Sequence, residues 1–318
     1  KQKPVYIPFK QLSQTHMQVL GASGSGKGIS LALIGAQLIQ VGESLIVFDP
    51  KGDARLPIVL SDAAEQAQVP FIHLDLQPDS VAQFNLLAGA STSEIEELLV
   101  AGLGLSPSDG DGNYYRGIDQ DAAEQLSKLD NGGKDWTLRS LYIAAQADKN
   151  FEKADNFLRR LRQVSDLPAI ATSHDLDLAG KVEAGVVIYI RGSVDNHRVK
   201  TLQTMLLIRI LQVIKKRPAC SRDVALILDE FKHLLTSVSL DALGVVREMG
   251  CHAILAHQSL GDLGACPGLT RTDVEPVVGD NTTIKLVFRI NDETASKSFA
   301  AKSGLQRTHV ESVRELDE

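Results

Sequence analysis

Cysteine is scarce: Cys220, Cys251 and Cys266 are the only three in 318 residues. The number is odd and no two stand at metal-ligand spacing, which argues against a disulfide framework or a zinc module and for reduced thiols. Aromatics make up 5% of the chain, with Trp136 the single tryptophan, so no stacking platform for single-stranded bases is evident. No apolar run approaches the ~18 residues of a membrane helix. The nearest, Met205 to Ile214, is broken by Arg209 and Gln212. No signal-peptide pattern opens the chain either. An excess of positive charge is also missing: the net charge is -7, so any basic surface has to be local or made by assembly. The remainder is ordinary, 43% hydrophobic and 23% charged. That composition excludes disorder, collagen and low complexity, and the length suits one large or two ordinary domains.

Short apolar runs alternate with longer helical patterns, which predicts an α/β fold with a mostly parallel sheet covered by helices. The strand candidates are Met17–Leu20, Ser44–Phe48, Phe71–Leu74, Val186–Ile190, Val224–Leu228, Ala253–Ala256 and Ile284–Phe288. A helix pattern over Lys27–Gln40 carries Leu31, Leu33, Ile34, Leu38 and Ile39 as its apolar positions. Between Ser93 and about Gly180 the alternation stops. Helical patterns at Ser93–Leu103, Asp121–Leu129, Leu138–Ala147 and Asn156–Val164 flank a turn-rich stretch, Ser106–Asn113. The expected organisation is an α/β core domain made of residues 1–92 and 181–318, with an all-alpha domain, 93–180, inserted between two of its strands. Ala88-Gly89-Ala90 and Gly180 read as the hinges.

Gly21-Ala22-Ser23-Gly24-Ser25-Gly26-Lys27 fits G-x-x-x-x-G-K. Glycines let backbone N–H groups curl around phosphate oxygens, and the following helix turns its positive end toward them. Lys27 is expected to reach the β- and γ-phosphates. A preceding strand and a following helix give the motif the context it requires. One position departs from it: the residue after the lysine, normally a magnesium-binding Ser or Thr, is Gly28. Ser30 is two residues on and points to the other side of the helix. Farther along, Val224–Leu228 is an apolar strand ending in Asp229-Glu230. Asp229 is expected to hold magnesium, directly or through water, and Glu230 to orient and deprotonate an attacking water. A second carboxylate that positions water suits an ATP-driven motor better than a kinase, which positions a substrate hydroxyl.

Taken in order, Gly21–Lys27, Val47-Phe48-Asp49-Pro50-Lys51-Gly52-Asp53, Phe84-Asn85-Leu86-Leu87, Leu226–Phe231 and Arg247-Glu248-Met249-Gly250 leading to His257-Gln258-Ser259 resemble the conjugative coupling proteins of type IV secretion. These form the TraD/TraG-like group within the FtsK/HerA class of DNA-pumping ATPases. The resemblance covers nearly the whole chain. It implies a RecA-like P-loop NTPase core, with the Gln258 strand between the phosphate-loop strand and the acid strand, and an inserted all-alpha domain. It implies ATP and Mg2+ as ligands, held by Gly21 through Ile29, with Asp49 and Lys51 nearby and Asp229 on the metal. It also implies Gln258 as a γ-phosphate sensor and Arg247 as an arginine reaching the nucleotide of a neighbouring subunit. Glycine after the phosphate-loop lysine occurs in this group too. His252 and His257 have no evident partners and read as structural.

The partners implied are relaxase-bound DNA, the relaxase and its accessory proteins, the secretion channel, and further copies of the chain in a hexamer. The location implied is the cytoplasmic face of the bacterial inner membrane, with an anchor outside this fragment, which opens on Lys1. Basic clusters available to DNA are Lys153 with Arg159, Arg160 and Arg162; Arg191 with Arg198 and Lys200; and Lys215, Lys216 and Arg217. A ring repeats a modest basic loop around its channel, which reconciles an acidic chain with DNA binding. Two other readings are another DNA translocase of the same class and a non-hydrolysing substrate-docking module. The helical insertion speaks against the first, and the intact Lys27, Asp229, Glu230 and Gln258 against the second.

Overall fold

The computed structural model of the chain describes residues 6–105, 113–218, 221–264, 270–290 and 293–303. Cys220, Cys266 and all but the last residue of the turn-rich stretch 106–113 lie outside them. The first half of the sheet is built from α1 (Phe9–Ser13), β1 (His16–Leu20), α2 (Lys27–Gln40), β2 (Ser44–Asp49), α3 (Leu56–Gln66) and β3 (Phe71–Asp75). Among the described residues five α-helices follow without a strand: α4 (Thr92–Gly102), α5 (Asn113–Ser127), α6 (Leu138–Ala147), α7 (Asp155–Ser165) and α8 (Leu178–Ala184). The chain returns to the sheet with β4 (Val187–Arg191), α9 (His197–Lys215), β5 (Val224–Leu228), α10 (Ser237–Val246) and β6 (Cys251–His257). It continues as α11 (Arg271–Asn281), β7 (Thr282–Val287) and α12 (Glu293–Ser303).

The seven strands lie in the order β3-β4-β2-β5-β6-β1-β7, and every pairing is parallel. A parallel sheet is covered on both faces, so its central strands are apolar throughout rather than alternating. β5, Val-Ala-Leu-Ile-Leu, is buried at all five positions. Side chains nevertheless alternate between two cores, because successive Cβ atoms point to opposite faces. Leu45, Val47, Ala225 and Ile227 pack with Leu31, Leu38 and Leu60 of α2 and α3. Ile46, Phe48, Leu226 and Leu228 pack on the other face with Leu206 and Ile210 of α9.

α9 is buried over most of its length, as expected of a helix that is apolar nearly all round. The two polar interruptions of its Met205–Ile214 run are bonded rather than exposed. Arg209 donates to Glu94 Oε1 at 3.3 Å and to the Ala88 carbonyl at 2.8 Å, and Gln212 donates to the Glu94 carbonyl at 3.1 Å and to Glu97 Oε2 at 2.7 Å. α4 is thereby fastened to α9, and the two approach closely at Gly102, where a Cβ would fall 2.4 Å from Met205 Cγ. α4 and α6 start at capping boxes, Ser91/Glu94 and Thr137/Ser140, which satisfy N–H groups otherwise left open at a helix start. Leu98 of α4, Leu141 of α6, and Phe157 and Leu161 of α7 belong to the same continuous apolar cluster as α9 and the strand residues on that face. Among the described residues no helix is long and apolar enough to cross a membrane.

Candidate nucleotide site

The loop from Gly21 to Lys27 leaves the carboxyl end of β1 and is fixed by its neighbours. Gly21 N–H donates to the His257 carbonyl at 3.2 Å, and Ala22 N–H to the Arg289 carbonyl at 2.9 Å. Gly24 and Gly26 sit at φ 76° and 101°, in the left-handed region where a Cβ is strained. Gly21 is required for space instead: a Cβ there would lie 2.5 Å from Ser25 Oγ and 2.7 Å from Phe288 Cβ. α2 starts on Gly26 with no side-chain cap and no acid in its first turn. Its first N–H groups are open donors at the positive end of the helix. Ser25 Oγ is buried without a partner. Lys27 is buried, and its ammonium folds back onto the Gly21 carbonyl. Burial lowers its pKa, against the opposing pull of Glu230 and Asp229. Open backbone donors, an unpartnered hydroxyl and a lysine form a donor set that fits a polyphosphate.

The two carboxyls of Asp229 and Glu230 follow β5, with β6 lying between them and the phosphate loop. Their environments drive them apart. Asp229 is pushed up to about 6, first by burial and then by the charges of Glu230 and Asp49. Glu230 is 2% exposed and burial pushes it up as well, but hydrogen bonds from Lys51 and Gln258 outweigh this and hold it below the usual carboxylate range. Gln258 Nε2 donates to both Glu230 oxygens at 3.1 Å, and the Lys51 ammonium pairs with Oε1. Glu230 stands at φ 47°, an uncommon backbone conformation for a residue with a side chain, of the kind that gathers at functional sites.

The loop after β2 carries Lys51 to that position. Asp49 is fully buried, and its carboxylate accepts the N–H groups of Lys51, Gly52 and Asp53 at 3.0, 2.8 and 2.6 Å and the Tyr189 hydroxyl at 2.6 Å. Burial and the Asp49 carboxylate push the Tyr189 phenol well above its ordinary pKa, so it remains a hydrogen-bond donor. Gln258 is held in a similar way. Asp262 Oδ2 accepts the Gln258 and Ser259 N–H groups at 2.9 and 3.1 Å, and Lys232 Nζ lies 3.3 Å from Oδ1. His257 is buried between the Ser259 carbonyl, 2.7 Å from Nδ1, and the Gln18 amide, 2.9 Å from Nε2. Burial lowers its pKa, so it is a neutral packing group. His252 pairs with buried Glu43 at 2.7 Å.

The structure therefore gathers Gly21–Lys27, Asp229, Glu230, Lys51 and Gln258 at the carboxyl ends of the central strands, with Asp49 organising the loop beneath Lys51. Ile29 is 62% exposed on α2. Arg247 is not brought to this end of its own chain. It follows α10 and lines a hollow with Ser13, Gln14, Ser221 and Asp223, which precede β1 and β5, so a strand length of roughly 17 Å separates it from the phosphate loop. Tyr189, Lys232 and Asp262 were not singled out by sequence, and Asp53 only as the last residue of the motif after β2; Asp53 and Asp262 each had a local signal, a side chain able to accept turn N–H groups. Several arginines and lysines of the basic clusters are occupied internally. Arg217 is buried against Glu183, Lys216 pairs with Glu94, Arg191 with Asp75 and Arg162 with Asp166. Arg160 donates to the carbonyls of Leu103 and Gly104.

Residues 1–54 match the family model of the HerA helicase central domain, and residues 223–317 match that of the TraM recognition site of TraD and TraG. The chain is 32% identical over 315 residues to Mobilization protein A of Escherichia coli, a match covering 97% of this chain and 58% of that protein. Among solved structures it superposes on the bacterial conjugative coupling protein TrwBΔN70 in complex with sulphate, with TM-score 0.64 and 14% identity over 87% of this chain and 71% of that one. TrwB in complex with ADP and Mg2+ gives TM-score 0.61 at 16% identity, over 88% and 74% of the two chains. VirB4 of Thermoanaerobacter pseudethanolicus gives 0.59 at 16% identity, over 92% and 81%. The fold is thus RecA-like, and at its two terminal segments the chain is similar to the HerA central domain and to the TraM recognition site of TraD and TraG.

Proposed function

We propose that the chain is the ATPase part of a conjugative coupling protein, linking relaxase-bound DNA to a type IV secretion channel and hydrolysing ATP to drive transfer. The observation that carries this reading is the convergence of Lys51 and Gln258 on the buried Glu230, across β6 from the loop of Lys27. The open backbone N–H groups between Ser23 and Gly28 and the Lys27 ammonium bind the phosphates. Glu230, kept ionised by its two partners, accepts the proton of the attacking water. Gln258, joined to Glu230, is suited to report the γ-phosphate, and Lys51 to carry positive charge there as the phosphoryl group leaves. Asp229 would hold Mg2+, which would supply positive charge to the phosphate oxygens.

The place of Arg247 at the opposite strand ends supports its action on a neighbour's nucleotide, and hence a ring, taken here as a hexamer. The helical region 93–180 is proposed to dock the relaxase or its accessory proteins, on the cytoplasmic face of the inner membrane. The test is ATP turnover with and without DNA. Glu230→Gln is expected to keep nucleotide binding and lower hydrolysis by roughly 100-fold or more, whereas Lys27→Ala weakens binding itself. Equal turnover in wild type and Glu230→Gln would sink the assignment.

A further inference from the structure

The motif position after the phosphate-loop lysine presents a metal-binding hydroxyl in most P-loops, and here it is Gly28. Apart from its chain neighbours and the backbone of its own helix, a Cβ built on Gly28 meets one heavy atom within 4 Å among the described residues: Asp53 Oδ2, at 3.5 Å. A serine hydroxyl would lie one bond beyond that Cβ, so this carboxylate oxygen borders the space the missing hydroxyl would enter. The other half of the carboxylate is committed elsewhere. Asp53 Oδ1 accepts the N–H groups of Arg55 and Leu56 at 2.7 and 3.0 Å, at the start of α3. The backbone is fixed as well, since Asp53 N–H donates to the buried Asp49 at 2.6 Å. Asp53 is thus anchored through one oxygen and its own backbone, with the second oxygen turned toward the first turn of α2.

We infer that Asp53 replaces the absent hydroxyl at position 28 as the protein ligand, direct or through one water, on that side of a nucleotide-bound magnesium ion. The inference rests on the nucleotide reading above. The chemistry suits the exchange, because magnesium takes oxygen ligands and is ordinarily held by one or two carboxylates together with phosphates and waters. Asp229 approaches from the acid strand and Asp53 from the loop after β2. Gly28 then has a positive role, leaving room for a carboxylate from another element to enter where a side chain on the helix would stand. Asp49, which holds the Asp53 backbone, is a positioning residue for that ligand.

The experiment measures binding of a non-hydrolysable ATP analogue by calorimetry, with magnesium and with EDTA, for wild type, Asp53→Asn and Asp53→Asn combined with Gly28→Ser. Asparagine retains the oxygen that starts α3 and replaces the free carboxylate oxygen with an amide that cannot bind metal. Serine at 28 makes only ordinary contact with residue 53. In Asp53→Asn the gain in affinity caused by magnesium is expected to shrink on the order of tenfold to a hundredfold, while affinity in EDTA stays within about twofold, and Gly28→Ser is expected to restore the gain. An unchanged magnesium effect in a folded Asp53→Asn would overturn the inference and leave the nucleotide reading standing. So would an equal loss with and without metal, which would show that Asp53 only shapes the loop, or a metal-selective loss that serine fails to repair. A wild-type chain that binds no nucleotide in either condition overturns the nucleotide reading itself.

Discussion

Replacing Asp229 with asparagine isolates the electrostatics of the acid pair, provided nucleotide and metal are withheld. The Asp229 carboxyl titrates at about 6 in the fold against an ordinary 3.8, so its ionised form is disfavoured there by about 3 kcal/mol. Because the folded pKa is raised, the stabilising contribution is complete below the unfolded value and is lost as pH rises through about 6. At pH 8 the wild type therefore folds around an unfavourable charge that asparagine lacks. The substitution keeps the local bond, since its amide oxygen can still accept the Glu230 N–H, now 2.9 Å from Asp229 Oδ1. The variant is expected to be more stable than wild type by about 3 kcal/mol near pH 8, or about 4 °C in unfolding midpoint for a chain of this size. The gap should close to about 1 kcal/mol near pH 4.5. Urea unfolding in EDTA at the two pH values checks this. A gap independent of pH, or an asparagine variant less stable than wild type at pH 8, would refute the argument from burial and like charge. The same substitution should remove most of the stabilisation that magnesium adds to bound nucleotide, since it removes the carboxylate proposed to hold the metal.

Glu94→Ala should cost about 3–5 kcal/mol in urea unfolding, because Arg209, whose side chain is 10% exposed, would be left buried without its counter-ion. Gly102→Ala should cost about 1–3 kcal/mol through the collision with Met205, and a smaller cost would mean that α4 and α9 slide apart easily. In mixed assemblies, inactive Glu230→Gln subunits should regain ATP turnover when combined with inactive Arg247→Ala subunits. An arginine supplied in trans is worth ~10³ or more in rate, and mixed rings that form yet stay inactive would count against sharing across an interface.

The sequence by itself determined what depends on neighbouring residues. Gly24 and Gly26 announce the phosphate loop because their backbone conformation needs glycine. Val224–Leu228 reads as a strand because a five-residue apolar run ending in acids fits a fully buried parallel strand. The break in strand alternation after Phe71–Asp75 likewise marked the helical region, although nothing local revealed that its apolar residues join the cluster of α9. The motif signatures, through a resemblance rather than through periodicity, also supplied the position of the Gln258 strand. Tertiary structure decided everything that links distant segments. Lys51 and Glu230 lie 179 positions apart and meet only because β2 and β5 are adjacent in the sheet. Arg209 breaks an apolar run and so looks like a surface position, until Glu94, 115 positions earlier, is placed against it. The sequence likewise left open that Asp49 would spend its oxygens on its own loop and Tyr189 while Asp53 turned one toward Gly28. Pattern and propensity act over a turn or a strand, whereas these pairings are set by strand order and by the need to satisfy each buried charge.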